Sequence, residues 1–271
     1  MITKQGIQED SLSMFESKTT GEPVYEVFRI IDGVALFLED HFARLENSLK
    51  IIGIPFEMQY EEFKRCVAEL VKLNRQEVGN IKFVYSGNVK TSDWCFSFIP
   101  HRYPDDQDYR NGVSVGLLNG ERENPNAKVL QQNLRDRANQ MISELNWYEV
   151  LLVDRDGLIT EGSRSNVFFV KNRVFYTAPE SKVLGGITRQ KVIDCLADLG
   201  FPLVELAVSA AEAGSFEAAF LTGTSPKVLP IRLIGKQPFN TPSHVVNELI
   251  GRYNEMVNRY IRIERERLST Q

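Results

Sequence analysis

Residues 149–170, which read EVLLVDRDGLITEGSRSNVFFV, constrain the fold of this chain more than any other stretch. The pair Asp156-Gly157 separates two apolar runs, and this pattern predicts a tight β-hairpin because the turn needs positive φ. Small polar residues then interrupt the apolar pattern from Gly162 to Asn166. The stretch therefore predicts two paired strands and a short polar loop that carries Glu161 and leads into a third strand. By residue type alone, Glu161 is a solvated acid at a strand end.

The composition is that of a globular protein with one large or two moderate domains, since 42% of the 271 residues are hydrophobic and 25% are charged. A formal net charge of −4 with scattered basic residues argues against a nucleic-acid partner, because phosphate backbones attract clustered Lys and Arg. Residues 1–15 resemble neither a signal peptide nor a transit peptide, and no apolar run reaches membrane-spanning length. We therefore expect a cytoplasmic protein without nucleic-acid or membrane partners.

The cysteines and histidines are widely spaced and include no CxxC motif, so they indicate neither a disulfide framework nor a metal site. They are Cys66, Cys95, Cys195, His41, His101 and His244. We expect the cysteines to be buried thiols, and we expect no metal.

Hydrophobic periodicity predicts mixed α and β structure along the remainder of the chain. The predicted elements are a hairpin turning at Asp32-Gly33, helices over 42–52, 58–73, 129–145, 188–200 and 243–268, and strands over 81–87, 94–100, 112–118, 168–178 and 218–231. The polar segment NGERENPNAK contains Pro125, which disfavours a regular element, and it marks the expected domain boundary. We expect a small N-terminal α/β domain over residues 1–119, an interdomain linker over 120–126 and a larger C-terminal domain over 127–271.

Three blocks in order carry a resemblance to a known family: TEGSRSNVFFV at 160–170, FYTAP at 175–179 and LGGITRQKV at 184–192. They closely resemble the class IV pyridoxal-phosphate aminotransferases, which include branched-chain and D-amino acid aminotransferases and aminodeoxychorismate lyase. The resemblance extends from about Val24 to Ile231. It implies the fold-type IV arrangement, with a small α/β domain and a larger barrel-like domain, pyridoxal 5′-phosphate (PLP) as cofactor, and a homodimer.

The resemblance implies that Lys128 and Glu161 are the catalytic residues. Transamination needs a lysine that forms a Schiff base with the cofactor aldehyde and then moves a proton. Lys128 lies in AKVLQQNL, which resembles the lysine block of the family, and it precedes Glu161 by 33 residues, close to the family's spacing. Glu161 would keep the pyridine nitrogen of the cofactor protonated, because a negative charge favours the proton there. By residue type alone, Lys128 is a solvated lysine.

The resemblance also implies a phosphate-binding set. Arg44 lies in DHFARL, which resembles the His-x-x-Arg-Leu block of the family, and a guanidinium suits a phosphate well. Ile187 and Thr188 open a helix after two glycines, where backbone N–H groups favour an anion. Thr224 would add a second contact. By residue type alone, these positions are a helix-surface arginine, an ordinary helix start and a hairpin turn.

Substrate contacts are predicted at Tyr25 and Tyr85, as an aromatic pocket wall, and at the amide of Ser225. Relatives carry Arg-Gly where this chain reads Ser86-Gly87, and they carry further basic residues in the loop beyond, where this chain has Asn88-Val89-Lys90. The departure leaves the substrate and its stereochemistry open. The predicted aromatic wall of Tyr25 and Tyr85 favours an apolar amino acid as substrate.

Two further residues have alternative interpretations. Arg122 either faces the cofactor, as a nearby arginine does in some relatives, or pairs with Glu121 or Glu123 in the linker. Asn166 resembles a family asparagine whose amide fixes the loop after the acid.

The first interpretation of the function is a PLP-dependent aminotransferase that transfers an amino group between an amino acid and a 2-oxo acid. The alternative is aminodeoxychorismate lyase, which shares the lysine, the acid and the phosphate site. Relatives with lyase activity place a Thr in the strand where this chain reads Tyr25 to Phe28, which counts against the lyase. A second alternative, from another class, is a non-catalytic PLP-binding or interaction protein.

Overall fold

The structure is a computed structural model that describes residues 1–8, 12–18, 23–87 and 92–269. Residues Asn88 to Lys90, which follow the departure at Ser86-Gly87, lie outside the described residues. The chain is a mixed α/β protein with two curled sheets, and it divides into two compact units. The first unit comprises Met1–Arg102, Ala127–Leu130 and Val257–Gln271, and the second comprises Tyr103–Asn126 and Gln131–Met256.

The first unit is built on a sheet that has six strands among the described residues. Its elements are β1 (Ile2–Thr3), β2 (Gly6–Ile7), α1 (Leu12–Lys18), β3 (Val24–Ile31), β4 (Val34–Ala35), α2 (Leu38–Ile51), α3 (Tyr60–Asn74), β5 (Gly79–Gly87) and β6 (Ser92–Ile99). The strand order is β2-β1-β6-β5-β3-β4, with antiparallel pairs throughout.

The two faces of this sheet bury different side chains because successive residues of a strand point to opposite faces. Val24 and Phe28 of β3 belong to the large apolar core that also contains residues of α2 and α3. Tyr25, on the other face, packs in a smaller cluster with Phe15 of α1 and Val84 of β5. The alternation therefore gives β3 two distinct sets of partners.

The second unit is built on a sheet with ten strands among the described residues. Its elements are α4 (Asp106–Asn111), β7 (Val113–Asn119), α5 (Gln132–Leu145), β8 (Glu149–Val153), β9 (Leu158–Gly162), β10 (Asn166–Lys171), β11 (Val174–Thr177), α6 (Ile187–Asp198), β12 (Leu203–Glu205), β13 (Val208–Ser209), β14 (Ala218–Gly223), β15 (Lys227–Ile234), β16 (Gln237–Pro238) and α7 (His244–Ser269). The strand order is β12-β11-β10-β14-β15-β7-β8-β9-β13, and β16 pairs with β15.

The C-terminal half of α7 belongs to the first unit and packs at the start of α2. The ring of Tyr260 lies 4.8 Å from the ring of Phe37, measured between centroids. The Tyr260 hydroxyl donates a hydrogen bond to Glu39 at 2.7 Å and accepts one from the N–H of Leu38 at 3.4 Å. The last helix therefore supports the beginning of α2.

The hairpin at the centre of the sequence argument is confirmed. Strands β8 and β9 pair antiparallel, and Gly157 adopts φ 75° in their turn. The prediction that Glu161 lies in the loop is wrong by a short distance, because β9 continues through Gly162 and the loop is 163–165. Glu161 is thus held by a strand.

The helix predicted from Val129 begins three residues later, at Gln132. Val129 instead forms an isolated antiparallel bridge with Val24 of β3. The hydrogen bonds of this bridge are made by the residues on either side of Val129, because Lys128 accepts from Tyr25 and Leu130 donates to Pro23. The apolar spacing that suggested a longer helix reflects burial of Val129 in the core of the first unit.

The predicted domain boundary at residues 120–126 lies inside the stretch Tyr103–Asn126, which belongs to the second unit. Strand β7 joins that unit because it pairs with β8 and β15. The domain division itself stays a prediction. All three cysteines are free and buried, as expected, and no helix in the described ranges is long and apolar enough to cross a membrane.

Candidate active site

Lys128 lies in a short extended segment that is bonded to β3. Its carbonyl accepts a hydrogen bond from the N–H of Tyr25 at 3.1 Å, and the N–H of Leu130 donates to the carbonyl of Pro23 at 3.2 Å. The N–H of Lys128 donates to the hydroxyl of Ser48 at 3.1 Å. The Lys128 Nζ lies 4.8 Å from the ring centroid of Tyr25, within reach of a cation–π interaction. The backbone is therefore fixed, and the amine is directed across a buried aromatic ring.

Ser48 connects this segment to α2. Its hydroxyl donates to the carbonyl of Arg44 at 2.8 Å while it accepts from the N–H of Lys128. Ser48 was not predicted from the sequence. Its signal was a small polar residue between Leu45 and Leu49 on the apolar face of the helix.

Arg44 forms a bidentate ion pair with Glu26, which is completely buried. Arg44 Nε donates to Glu26 Oε1 at 2.8 Å, and Arg44 Nη2 donates to Oε2 at 2.7 Å. His41 Nδ1 lies 2.7 Å from the same Oε2. His41 and Arg44 are three residues apart and therefore share one face of α2.

Charge pairing decides the protonation of this buried group. Burial by itself raises the pKa of Glu26, but the charge of Arg44 and the hydrogen bonds from His41 and Arg44 outweigh it and lower the pKa to about 2. Burial lowers the pKa of His41, against the opposing hydrogen bond to Glu26. The lowered pKa of Glu26 and the lowered pKa of His41 are both consistent with a neutral His41 whose Nδ1–H donates to the Glu26 carboxylate. The group holds Arg44 in a single orientation.

The pairing of Glu26 with Arg44 was not predicted from the sequence. The signal was present, because Glu26 occupies the same face of β3 as Val24 and Phe28. A carboxylate on the apolar face of a strand needs a buried cation. Nothing in the local pattern identified Arg44 as that cation.

Glu161 is the buried acid of the second unit, with 2% of its surface exposed. Arg122 Nε donates to Glu161 Oε1 at 2.7 Å. The other oxygen, Oε2, accepts two longer bonds, from the N–H of Leu184 at 3.4 Å and from Asn166 Nδ2 at 3.5 Å. The charge of Arg122 favours the ionised carboxylate. The short bond fixes Oε1, and the two bonds to Oε2 are longer.

The ion pair that the structure gives Arg122 is thus with Glu161, a partner that was not predicted from the sequence. Glu121 instead accepts from Arg155 Nη2 at 2.8 Å. Arg122 Nη2 also donates to the carbonyl of Ser163 at 3.1 Å, so the arginine joins the acid to the loop that follows it.

A second buried carboxylate, Glu149 of β8, organises this loop. It accepts from the hydroxyls of Ser163 at 2.6 Å and Ser165 at 3.1 Å, and from the N–H groups of Val150 at 2.9 Å and Arg164 at 3.1 Å. Charge-assisted bonds of this kind are short and strong. Glu149 therefore keeps the loop after Glu161 in one conformation.

Helix α6 begins at Ile187 with Gly186 as its N-cap, and no side chain caps it. The first N–H groups of any helix have no acceptor within the helix, and they favour an anion. Asn166 Nδ2 donates to the carbonyl of Leu184 at 3.0 Å, which fixes the approach to the helix. A Cβ atom at Gly186 would lie 2.0 Å from Asn166 Oδ1, so any larger residue there would displace the Asn166 side chain. Thr188, in the first turn, is buried.

Thr224 and Ser225 lie in the turn between β14 and β15. At the end of β14, the Thr222 hydroxyl is buried and has no hydrogen-bond partner among the residues that the structure describes. Thr222 pairs across the sheet with Asn166, the residue that contacts Gly186. An orphan hydroxyl thus lies opposite the first residue of β10, Asn166, whose side chain faces the helix start.

Tyr25 and Tyr85 do not form one wall. In the register of β3 and β5, Tyr25 is opposite Val84 and Tyr85 is opposite Val24, so the two rings lie on opposite faces of the sheet. The Tyr85 hydroxyl donates to the carbonyl of Pro55 at 2.8 Å. The prediction of one aromatic wall was wrong, because the register of β3 and β5 decides which residues share a face and the sequence does not specify that register.

The donor set of each unit fits a part of PLP. The first unit offers an amine on a fixed backbone at Lys128 and a guanidinium at Arg44. The second offers a buried carboxylate at Glu161, a helix start without a side-chain cap at Gly186 and an orphan hydroxyl at Thr222. An aldehyde, a pyridine nitrogen and a phosphate are the groups that such donors and acceptors recognise.

Comparisons with known proteins agree with this chemistry. The family model described as Amino-transferase class IV matches residues 23–234. D-alanine aminotransferase of Bacillus licheniformis is 32% identical over 80% of this chain and 80% of its own length. The structure of a branched-chain aminotransferase from the archaeon Thermoproteus uzoniensis, solved with norvaline, is 26% identical, with a TM-score of 0.78 over 90% of each chain.

A Legionella pneumophila protein provisionally named 4-amino-4-deoxychorismate lyase has the same fold. Its TM-score is 0.80, at 21% identity, over 92% of this chain and 96% of that one. A branched-chain amino acid aminotransferase of this fold has also been solved with pyridoxamine 5′-phosphate, the amino form of the cofactor. The family match spans most of the chain, from the strand that carries Tyr25 to the end of β15. The chain therefore belongs to the class IV aminotransferases, a family of PLP-dependent enzymes.

Proposed function

We propose that this enzyme transfers an amino group between a small apolar amino acid and a 2-oxo acid, with Lys128 as the amine that bonds to the cofactor. The observation that carries the proposal is the position of Lys128 Nζ, 4.8 Å from the ring of Tyr25, on a backbone hydrogen-bonded to β3. A fixed backbone limits the movement of the amine to its own side chain. The similarity to a D-alanine aminotransferase supports a small substrate.

Bound PLP supplies an aldehyde that condenses with amines and a ring that accepts electrons from the bond between Cα and hydrogen. Lys128 Nζ holds the cofactor at rest and carries the proton from Cα once it is released. Arg44, kept in place by Glu26 and His41, binds the phosphate. The roles of Lys128 and Arg44 rest on the contacts that each residue makes within the first unit.

In the second unit, Glu161 would keep the ring nitrogen of bound PLP protonated, and Arg122 orients the carboxylate through Oε1. The N–H groups of Ile187 and Thr188 and the hydroxyl of Thr224 bind the phosphate. The amide of Ser225 binds a carboxylate of the substrate.

We further propose a homodimer in the cytoplasm that binds neither nucleic acid nor membrane. A dimer is supported by family resemblance, and the absence of clustered basic residues supports the rest. Sedimentation equilibrium tests the first point. A stable monomer with full activity contradicts it.

The substrate experiment follows the absorption of the lysine-bound cofactor. Purified protein is mixed with L- and D-alanine, with L- and D-forms of the branched-chain amino acids, and separately with aminodeoxychorismate. Conversion to the pyridoxamine form by an alanine isomer supports the proposal, and the isomer that reacts gives the stereochemistry. Release of pyruvate and 4-aminobenzoate with the spectrum unchanged would instead identify a lyase. A spectrum that never shows bound cofactor would indicate a protein without this chemistry.

A further inference from the structure

A second lysine lies against the same buried ring as Lys128. Lys82 Nζ is 5.1 Å from the ring centroid of Tyr25, and Lys128 Nζ is 4.8 Å from it. The ring face attracts both cations. Only 11% of the Lys82 side chain is exposed, and a largely buried ammonium is costly unless an anion compensates it.

The anion that compensates Lys82 comes from α1. Glu16 forms an ion pair with Lys82, and the Glu16 side chain is 29% exposed. The two partners differ in how firmly they are held. Lys82 lies in the middle of β5, between β3 and β6, whereas α1 has only seven residues. Helices of that length have little stability of their own. Glu16 is therefore the partner that can be replaced.

The strand register places Lys82 on the same face of the sheet as Tyr25 and Ser86. In β5, Lys82 and Ser86 are four residues apart and point to one face of the sheet. Lys82 is opposite Val27 of β3, and its neighbour Val84 is opposite Tyr25. Ser86 is the position at which the resemblance implies an arginine. The face that lacks this arginine thus carries a different cation, two side-chain positions away.

We infer that Lys82 binds a carboxylate of the amino acid or 2-oxo acid substrate, and that Glu16 occupies this position when no substrate is bound. The inference rests on the proposed function, because it assigns a specificity-determining residue to the same reaction. The ligand chemistry is a carboxylate within reach of the Lys82 ammonium. It is either the carboxylate next to Cα or a second one at the far end of a dicarboxylic substrate.

A purely structural ion pair makes a different prediction. If Lys82 and Glu16 only attach α1 to the sheet, neutralising either one lowers stability and leaves substrate binding unchanged. If Glu16 competes with substrate, the two substitutions have opposite effects on binding. Lys82→Gln then weakens binding, whereas Glu16→Gln strengthens it.

The experiment measures binding to the PLP-loaded enzyme by calorimetry, with pyruvate and 2-oxoglutarate as probes. Without an amino donor these 2-oxo acids bind and are not converted. We expect Lys82→Gln to raise Kd at least about tenfold, since a charge-assisted hydrogen bond is lost. Lys82→Arg, which keeps the charge, should stay within about threefold of the native value. Lys72→Gln, an exposed lysine on α3, is the matched control and should leave Kd unchanged.

The two probes distinguish the sources of the carboxylate. A change for 2-oxoglutarate alone assigns the second carboxylate, and a change for both probes assigns the one next to Cα. Either result supports the inference if Glu16→Gln lowers the same Kd. Unchanged Kd values for Lys82→Gln, or a raised Kd for Glu16→Gln, overturn it.

Thermal unfolding of each variant detects a loss of fold. If Lys82→Gln does not fold, Lys82→Arg and Glu16→Gln decide the question, because only substrate competition makes Glu16→Gln bind more tightly. Failure of the proposed function is separately visible. In that case no amino acid converts the cofactor of the native enzyme, whereas failure of this inference leaves that conversion intact.

Discussion

Replacing Glu26 with glutamine should destabilise the protein by about 3 kcal/mol at pH 7. The fall in the pKa of Glu26 from 4.5 to about 2 corresponds to about 3 kcal/mol of preference for the ionised carboxylate. Removing one partner of a buried ion pair costs about 3–5 kcal/mol, because the other charge is left without compensation. Glutamine keeps the shape of the side chain but gives Arg44 only one acceptor in place of two. Both arguments lead to the same magnitude.

Urea unfolding at pH 7, followed by far-ultraviolet circular dichroism, measures the effect. Urea is preferred to guanidinium because it adds no salt to screen the pair. In a thermal scan we expect the Tm to fall by about 6 °C or more. Glu46→Gln removes an exposed charge from the same helix as Arg44 and serves as the control, with a change of less than about 0.5 kcal/mol.

The pH dependence has a definite sign. The folded pKa of Glu26 is lower than the unfolded value of 4.5, so its contribution is fully present above pH 4.5 and is lost as the pH falls toward about 2. The difference between native protein and Glu26→Gln should therefore shrink by roughly 1 kcal/mol between pH 6 and pH 4. The lowered pKa of His41 adds a loss of native stability below its unfolded value of 6.5, because the unfolded chain takes up the proton first. A difference under about 1 kcal/mol at pH 7 would refute the reasoning.

Three further outcomes test the assigned roles. Lys128→Ala should fold normally and lose the borohydride-reducible bond to PLP, detected by mass spectrometry; a retained bond would assign another lysine. Glu161→Gln should keep PLP but slow single-turnover amino transfer at least about 100-fold, because a neutral amide cannot keep the ring nitrogen protonated. Normal turnover would mean that another residue contacts the ring. Gly186→Ala should weaken PLP binding about tenfold in a fluorescence titration, since its Cβ would displace the Asn166 side chain from 2.0 Å away. Unchanged affinity would show that the helix start does not bind the phosphate.

Local chemistry made part of the fold predictable. The turn at Gly157 could be inferred because few residues other than glycine adopt its φ of 75°. The start of α5 could not be inferred, because an apolar residue at position 129 fits a buried helix position and a strand bridge equally well. Only the distant partner, Val24, decides between them. Sequence spacing within a segment contains no information about such a partner.

The candidate site shows the same limit. Resemblance identified Arg44 and Glu161 by type and order. It could not reveal that Arg44 is already paired with Glu26, or that Arg122 pairs with Glu161 rather than with an acid of the linker. Those pairs depend on the register of the strands and on which face each helix packs against the sheet. Both are set by packing over the whole unit.

The division of the chain has a consequence for synthesis in the cell. The first unit includes Val257–Gln271, and Tyr260 from that stretch bonds to Leu38 and Glu39 at the start of α2. This stretch is synthesised after all of the second unit, so helix α2 gains that support only once the second unit has been made. Folding that begins on the ribosome cannot finish the units in the order of their sequence. The first unit, although it begins the sequence, is completed after the second unit has been synthesised.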